Sequence, residues 1–259
     1  MSQRKKPNQT VQSLDRAIDI IEKLVESKQG LGVTQISDST GLHKSTVYRL
    51  LSTLNYRGFV KKDTENNKYT IGLKLFEIGS KVLNNLDLRT ESKPYLMDLM
   101  NRTGETIHLG VMNNYEVVYI DKVEGTETIG MTSKIGRRVP AHCTSLGKTI
   151  LAYSNEEYVD ELLEKKGLPR YTAQTIVEPQ KLKEHLKEIK KKGYAVDDEE
   201  QELGIRCIAA PIFNYNGEVM ASFSISGPAS RMSEERVENL SNLITRFADK
   251  ISSEFGYHG

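Results

Sequence analysis

The sequence predicts an α+β protein in two parts: a small helical unit closed by a hairpin, then a larger unit built on a mainly antiparallel sheet. Three observations carry this. The chain has 259 residues, which exceeds the usual single-domain size and makes two domains the first expectation. Apolar residues recur at helical spacing over the first hundred positions and at strand spacing after that. Charge divides the same way. Residues 1–75 hold 13 Lys or Arg against 7 Asp or Glu, a net +6, and the remainder holds 23 against 28, a net −5. The overall +1 conceals that asymmetry, and the basic part is the nucleic-acid candidate.

Leu14, Ala17, Ile18, Ile21, Leu24 and Val25 predict an amphipathic helix over 14–27, with Ser13 as its cap and Gly30 and Gly32 ending it. A short helix starts at Thr34, Gly41-Leu42 forms a turn, and a third helix buries Val47, Leu50, Leu51 and Leu54. Phe59-Val60 and Tyr69–Ile71 flank a polar stretch, as in a two-stranded hairpin. Three helices with a glycine turn and such a hairpin make a winged helix-turn-helix. From Leu73 to about Thr103 helical spacing returns, with Leu75, Ile78, Val82 and Leu86 before Pro94 and Leu96, Leu99 and Met100 after it. This predicts a linker helix, a break and another helix.

Strands are expected at 106–112, 117–123, 128–133, 207–213 and 218–226, with helices near 145–153, 155–165, 179–192 and 233–254. That order suits a GAF- or profilin-like sensor domain better than a doubly wound sheet. The expected boundaries are a basic arm over 1–12, a DNA-binding domain over 13–73, a linker helix over 74–89 and an effector domain over 90–259. No apolar run approaches a membrane span, and the start, with Arg4, Lys5 and Lys6, lacks a signal peptide's apolar stretch, so a cytoplasmic location is expected. Two cysteines, Cys143 and Cys207, suggest no disulfide framework.

On the third helix packing leaves Lys44, Ser45, Thr46, Tyr48, Arg49 and Ser52 facing outward. Arg49 is the candidate for base readout, because an Arg binds guanine bidentately in the major groove. Arg16, Arg57, Lys61, Lys62 and Lys68, with the basic arm, are candidates for phosphate contacts.

Ser13–Ala17 and Gly41–Leu51 (GLHKSTVYRLL) resemble the IclR family of transcriptional regulators, and so do Ala141–Lys148 (AHCTSLGK), Asp197–Glu200, Gly204–Pro211 (GIRCIAAP) and Ser224–Gly227. The resemblance covers nearly the whole chain. It implies a winged helix, a linker helix, a GAF-like effector domain, and a dimer or tetramer acting on a palindromic operator, with repression as the expected sign. It further implies that a small organic acid binds at Ser145, Leu146, Asp197, Cys207, Ser224 and Ser226, with apolar walls from Met131, Val139 and Ile205. Met131–Arg138 is similar to members that respond to 2-keto-3-deoxygluconate.

Chemistry at these positions is consistent with that. Thr144 and Ser145 open a helix, whose first amides suit a carboxylate. Ser224 and Ser226 share one face of a strand, although parity alone leaves open whether that face is a pocket or solvent. Cys207 sits in an apolar run, as a packing residue would, and Asp197 belongs to a charge run, usually a solvated face. Gly147-Lys148-Thr149 is no phosphate-binding loop, because His142 stands where its first glycine belongs. No cofactor is implied. No nucleophile and base are shown to meet, so no enzyme is expected, a cysteine-dependent one included. A rival reading has His142, Cys143, Cys207 and Asp197 sense a metal or redox state, though no pair has zinc-finger spacing.

Overall fold

The computed structural model describes residues 10–27, 29–84, 87–126 and 133–258. Backbone contacts divide the chain into two compact units, Met1–Asn85 and Leu86–Gly259.

The first unit contains α1 (Gln12–Glu26), α2 (Val33–Thr40), α3 (Lys44–Tyr56), the hairpin β1 (Val60–Lys62) and β2 (Tyr69–Ile71), and α4 (Leu73–Asn84). Ile20, Leu24, Ile36, Val47, Leu51, Val60 and Tyr69 form its core. Two expectations for α1 are corrected. The helix begins before Ser13, with Val11 at the N-cap and no side-chain cap. Its buried residues are Ile20 and Leu24, while Leu14, Ile18 and Val25 are exposed. Gly41 takes the left-handed conformation between α2 and α3, and the Ser37 hydroxyl closes that turn by donating to the Leu42 carbonyl at 2.6 Å. The wing is held by Asp63, whose carboxylate accepts from the Glu65 amide at 2.9 Å and the Asn66 side chain at 2.6 Å. A third short bridge, Leu31 to Tyr69, was not visible as a strand in the sequence.

The second unit opens with α5 (Asp87–Thr103), followed by β3 (Thr106–Asn113), β4 (Glu116–Val123), β5 (Arg138–Pro140), α6 (Ser145–Tyr153), α7 (Glu156–Lys166), α8 (Pro179–Lys192), β6 (Ala195–Asp198), β7 (Ile205–Phe213), β8 (Val219–Pro228) and α9 (Glu234–Glu254). The expected break at Pro94 does not occur. Pro94 lies inside α5, and α4 and α5 span Leu73–Asn84 and Asp87–Thr103, with residues 85–86 outside the described residues. The linker helix placed at 74–89 thus divides between α4 and α5, and the side chains of Val82 and Leu86 are outside the description. Residues 1–9 of the expected basic arm, Met131 and nearly all of the expected 128–133 strand also lie outside it, while Gln12, placed in the arm, opens α1.

The six strands pair antiparallel in the order β5-β4-β3-β8-β7-β6. Strand alternation sends Ile107, Leu109, Ile208, Ala210, Phe223 and Ile225 to a face covered by α5 and α9. The opposite face packs Val117, Tyr119, Val139 and Ala209 against α6, α7 and α8. Between Leu109 and Gly110 the β3–β4 register shifts, leaving Ile120 without an opposite residue. This bulge puts Ile120 and Asp121 on the α5 side, where Asp121 accepts from Lys93 at 2.9 Å.

The first turn of α6 packs backbone to backbone against the segment that leads into it from β5: a Cβ on Gly147 would stand 2.3 Å from the Ala141 Cα and carbonyl oxygen. No flexible side chain is available to yield. Gly147→Ala is therefore expected to destabilise the protein by about 1–3 kcal/mol, the range for overpacking. Thermal and urea denaturation measure this, and an unchanged transition would show that α6 can rise from that segment without cost.

Candidate functional site

On the first unit, α3 presents Lys44, Ser45, Tyr48, Arg49 and Ser52 to solvent, with Thr46 half-buried and Val47 and Leu51 turned inward. Tyr48 is 56% exposed. Ser52 is less free than its exposure suggests, since its hydroxyl donates to the Tyr48 carbonyl at 2.8 Å. Lys61 is exposed on β1, Lys68 is half-buried at the start of β2, Arg57 caps α3, and Arg16 is half-buried on α1. Lys62 lies over the Tyr69 ring at 6.0 Å. Among the described residues no ion pair engages Arg16, Lys44, Arg49, Arg57, Lys61 or Lys68. A helix with an open polar face beside a basic wing can meet a duplex, with these cations exchanging water and counterions for phosphate.

The second site is a buried polar patch on the α6 face of the sheet. Thr144 caps α6, donating to the Pro140 carbonyl at 2.7 Å and accepting from the Gly147 amide at 3.2 Å. Ser145 and Leu146 supply the next amides, which have no acceptor within the helix. The Ser222 hydroxyl donates to the Leu146 carbonyl at 2.9 Å, fixing that helix end over β8. Ser224 and Ser226 follow on the same face, buried, with their oxygens 3.2 Å apart. Opposite Ser226 on β7 is Cys207, and opposite Cys207 on β6 is Asp197. Val139 is buried on β5 and Ile205 half-buried on β7. The structure therefore brings together Ser145, Leu146, Asp197, Cys207, Ser224 and Ser226 on the interior face between sheet and helix. The acidic run is not a solvated surface: Asp197 and Glu200 are both buried.

Burial governs the ionisation of this patch. It pushes the Asp197 carboxyl up to about 7, against the downward pull of Lys148. The Glu200 amide still donates to Asp197 Oδ1 at 2.9 Å. Burial also drives both thiols far upward, so neither Cys143 nor Cys207 is a thiolate at neutral pH. His142 gives Nε2 to a 3.0 Å contact with the Pro169 carbonyl, and among the described residues no group of three or more His, Cys, Asp or Glu side chains is placed to hold a metal ion. The convergence required by the metal-sensor reading is not found there.

Sequence reasoning missed two members, His108 and Lys148. His108 on β3 is buried between its cross-strand neighbours Ser224 and Lys122. Its ring stacks on Tyr119 at 4.8 Å between centroids, with Nδ1 3.2 Å from Ser226 Oγ and Nε2 2.7 Å from Ser133 Oγ. Burial, with Lys122 and Arg137 nearby, lowers its pKa to about 3, so the imidazole is neutral. The alternation Thr106, His108, Gly110 was the available signal. Lys148, completely buried, binds Glu200 and the Val196 carbonyl, the latter at 2.6 Å, and pins α6 to β6.

Residues 13–64 match the IclR helix-turn-helix domain, and residues 80–253 match the bacterial transcriptional regulator IclR C-terminal domain. The chain is 39% identical over 249 residues to the HTH-type transcriptional regulator KdgR of Escherichia coli K12, covering 96% of this chain and 94% of that protein. It is 38% identical over 248 residues to the transcriptional repressor IclR of the same organism, covering 95% and 90%. The crystal structure of Thermotoga maritima IclR superposes with a TM-score of 0.82 at 39% identity, covering 95% of this chain and 99% of that one. Among the described residues no helix is long and apolar enough to cross a membrane.

The raised Asp197 pKa has a signed consequence. Between the ordinary value of 3.8 and about 7 the folded chain holds a proton that the unfolded chain has released. Asp197 therefore contributes stability at low pH that is lost as pH rises through about 7. His108, lowered from 6.5 to about 3, contributes the opposite slope between those values, stability being lost as pH falls through about 3. Asp197→Asn keeps an acceptor for the Glu200 amide, so its stability relative to the parent is expected to improve as pH goes from about 5 to about 8. Melting temperatures across that range decide it; a constant difference would mean that Asp197 is ionised throughout.

Proposed function

Because the chain belongs to the IclR family of bacterial transcriptional regulators, we propose that its α3 face reads an operator and that a small organic acid in the α6 site controls that binding. It is a DNA-binding regulator with an effector-binding C-terminal domain, not an enzyme. The sign we assign is repression, in the cytoplasm. The observation that carries the effector reading is the end of α6: amides of Ser145 and Leu146 that have no acceptor within the helix, over a buried floor of hydroxyls. A carboxylate matches those amides, and charge-assisted hydrogen bonds anchor it. Asp197 in its protonated form donates rather than repels. Ser224, Ser226 and Cys207 line the adjoining floor, with Val139 and Ile205 as apolar wall. We take 2-keto-3-deoxygluconate as the first acid to test.

Self-association on a palindromic operator belongs to the same proposal. Val11, Leu14, Ile18 and Val25 are exposed on α1, with Ile21 half-buried among them. Their 3-4-3-4 spacing is a seam that a second copy covers.

Two measurements test the assignment. Against an operator recovered by selection from random DNA, Arg49→Ala is expected to lose about 1–3 kcal/mol of discrimination. Lys61→Ala or Lys68→Ala is expected to weaken binding to all DNA and flatten its salt dependence. Equal weakening on operator and random DNA by Arg49→Ala would remove its base-reading role.

For the effector, hydrogen bonds are worth about 0.5–1.5 kcal/mol to a neutral polar group and about 1.5–3 kcal/mol to a charged one. The Ser224→Ala, Ser226→Ala double variant is therefore expected to bind 2-keto-3-deoxygluconate at least about tenfold more weakly, with ligand-free operator affinity unchanged. Calorimetry and operator binding run in parallel give the answer; an equal ligand response in both proteins would put the site elsewhere.

A further inference from the structure

The hydroxyl floor ends at a residue that the acid-anchoring chemistry does not use. His108 is 2% exposed on the same face as Ser224 and Ser226, and its ring plane is set by the Tyr119 ring stacked on it. In-plane approach at Nδ1 and Nε2 is all that remains, and each nitrogen meets a serine hydroxyl: Ser226 at 3.2 Å and Ser133 at 2.7 Å. Neutral imidazole offers one donor and one acceptor, which is the complement of a hydroxyl. The neighbouring cation is already committed, since Lys122 Nζ binds Glu124 at 3.1 Å and the Ser133 carbonyl at 3.0 Å. Ser226 is crowded, contacting His108, Ser224 and the Cys207 thiol. Ser133, by contrast, stands outside any strand, so its bond to Nε2 can be exchanged without disturbing a ladder.

We propose that His108 is a specificity-determining residue of the effector site, selecting acids that carry a hydroxyl group remote from the carboxylate held at α6. This rests on the organic-acid reading above. An apolar tail brought to His108 displaces a hydroxyl and leaves a buried imidazole nitrogen unpaired, a penalty that a hydroxylated tail avoids. Sites built to hydrogen-bond a ligand hydroxyl discriminate strongly against analogues without one.

The matched probes are 2-keto-3-deoxygluconate and 2-ketohexanoate, which share chain length and the keto-acid end and differ in the hydroxyls of the tail. The wild-type chain is expected to bind the hydroxylated acid at least about tenfold more tightly. His108→Phe, which keeps a ring against Tyr119, is expected to erase that preference by weakening the hydroxylated acid alone, and His108→Gln, with a donor and an acceptor, to restore part of it. The imidazole nitrogen resonances of the wild-type protein give a second readout that needs no variant: the hydroxylated acid shifts them and 2-ketohexanoate does not. Equal binding of both acids by the wild type, a preference that survives His108→Phe, equal weakening of both acids, or resonances that do not respond would each overturn the role of His108 while leaving the acid site in place. Binding of neither acid would overturn the acid reading and this proposal with it.

Discussion

The effector unit depends on how closely α6 lies against the sheet. Gly147 leaves no room for a side chain above Ala141, Ser222 ties the first turn of the helix to β8, and Lys148 reaches beneath it to Glu200 and the Val196 carbonyl. A lysine with no exposed surface is tolerable only when paired and hydrogen-bonded, and removing either partner strands a buried charge. Its partners hang from β6 and the turn after it, which Thr172 and Thr175 also grip through the Glu200 carbonyl. Helix, strand and turn are thus one mechanical piece. The first amides of α6 keep a fixed position over the hydroxyls of β8 because of it.

That arrangement produces an unusual electrostatic interior. Four ionisable groups, Asp197, Glu200, Lys148 and His108, lie within the same layer, together with two thiols and several hydroxyls. Burial disfavours every charged form, so His108 stays neutral and Asp197 straddles neutrality, while the Lys148–Glu200 pair carries the ionic character. The result is a buried polar face with little net charge, to which the helix end adds a positive bias.

How much of this was legible in the sequence depended on whether a residue's role is local. The helix-turn-helix was readable because Gly41 and the Val47–Leu51 spacing announce it, and the paired serines of β8 because alternation places them together. In α1 the period was right but the face was rotated, since Ile20 and Leu24 are chosen by contacts with α2, α3 and the hairpin rather than by the helix itself. Pro94 misled because a proline within a helix costs one hydrogen bond, which tertiary packing by Leu96 and Leu99 offsets. Asp197 reads as part of an acidic surface until β6 pairs with β7 and turns alternate acids inward. For His108 the alternation along β3 gave only its face, because the neighbours that define its role come from β8, β4 and the segment before β5.

The bulge in β4 sets a limit on motion within the sheet. Because Ile120 has no opposite residue, Asp121 and Lys122 are successive residues that serve different layers: one accepts from Lys93 of α5, the other adjoins His108 on the polar face. Sliding β4 along β3 by a single position would carry a carboxylate into the polar face and a lysine into the hydrophobic layer beneath α5. Register slip is closed to this strand, so any rearrangement that reaches α5 from the polar face must travel by tilting or displacing β4 as a whole.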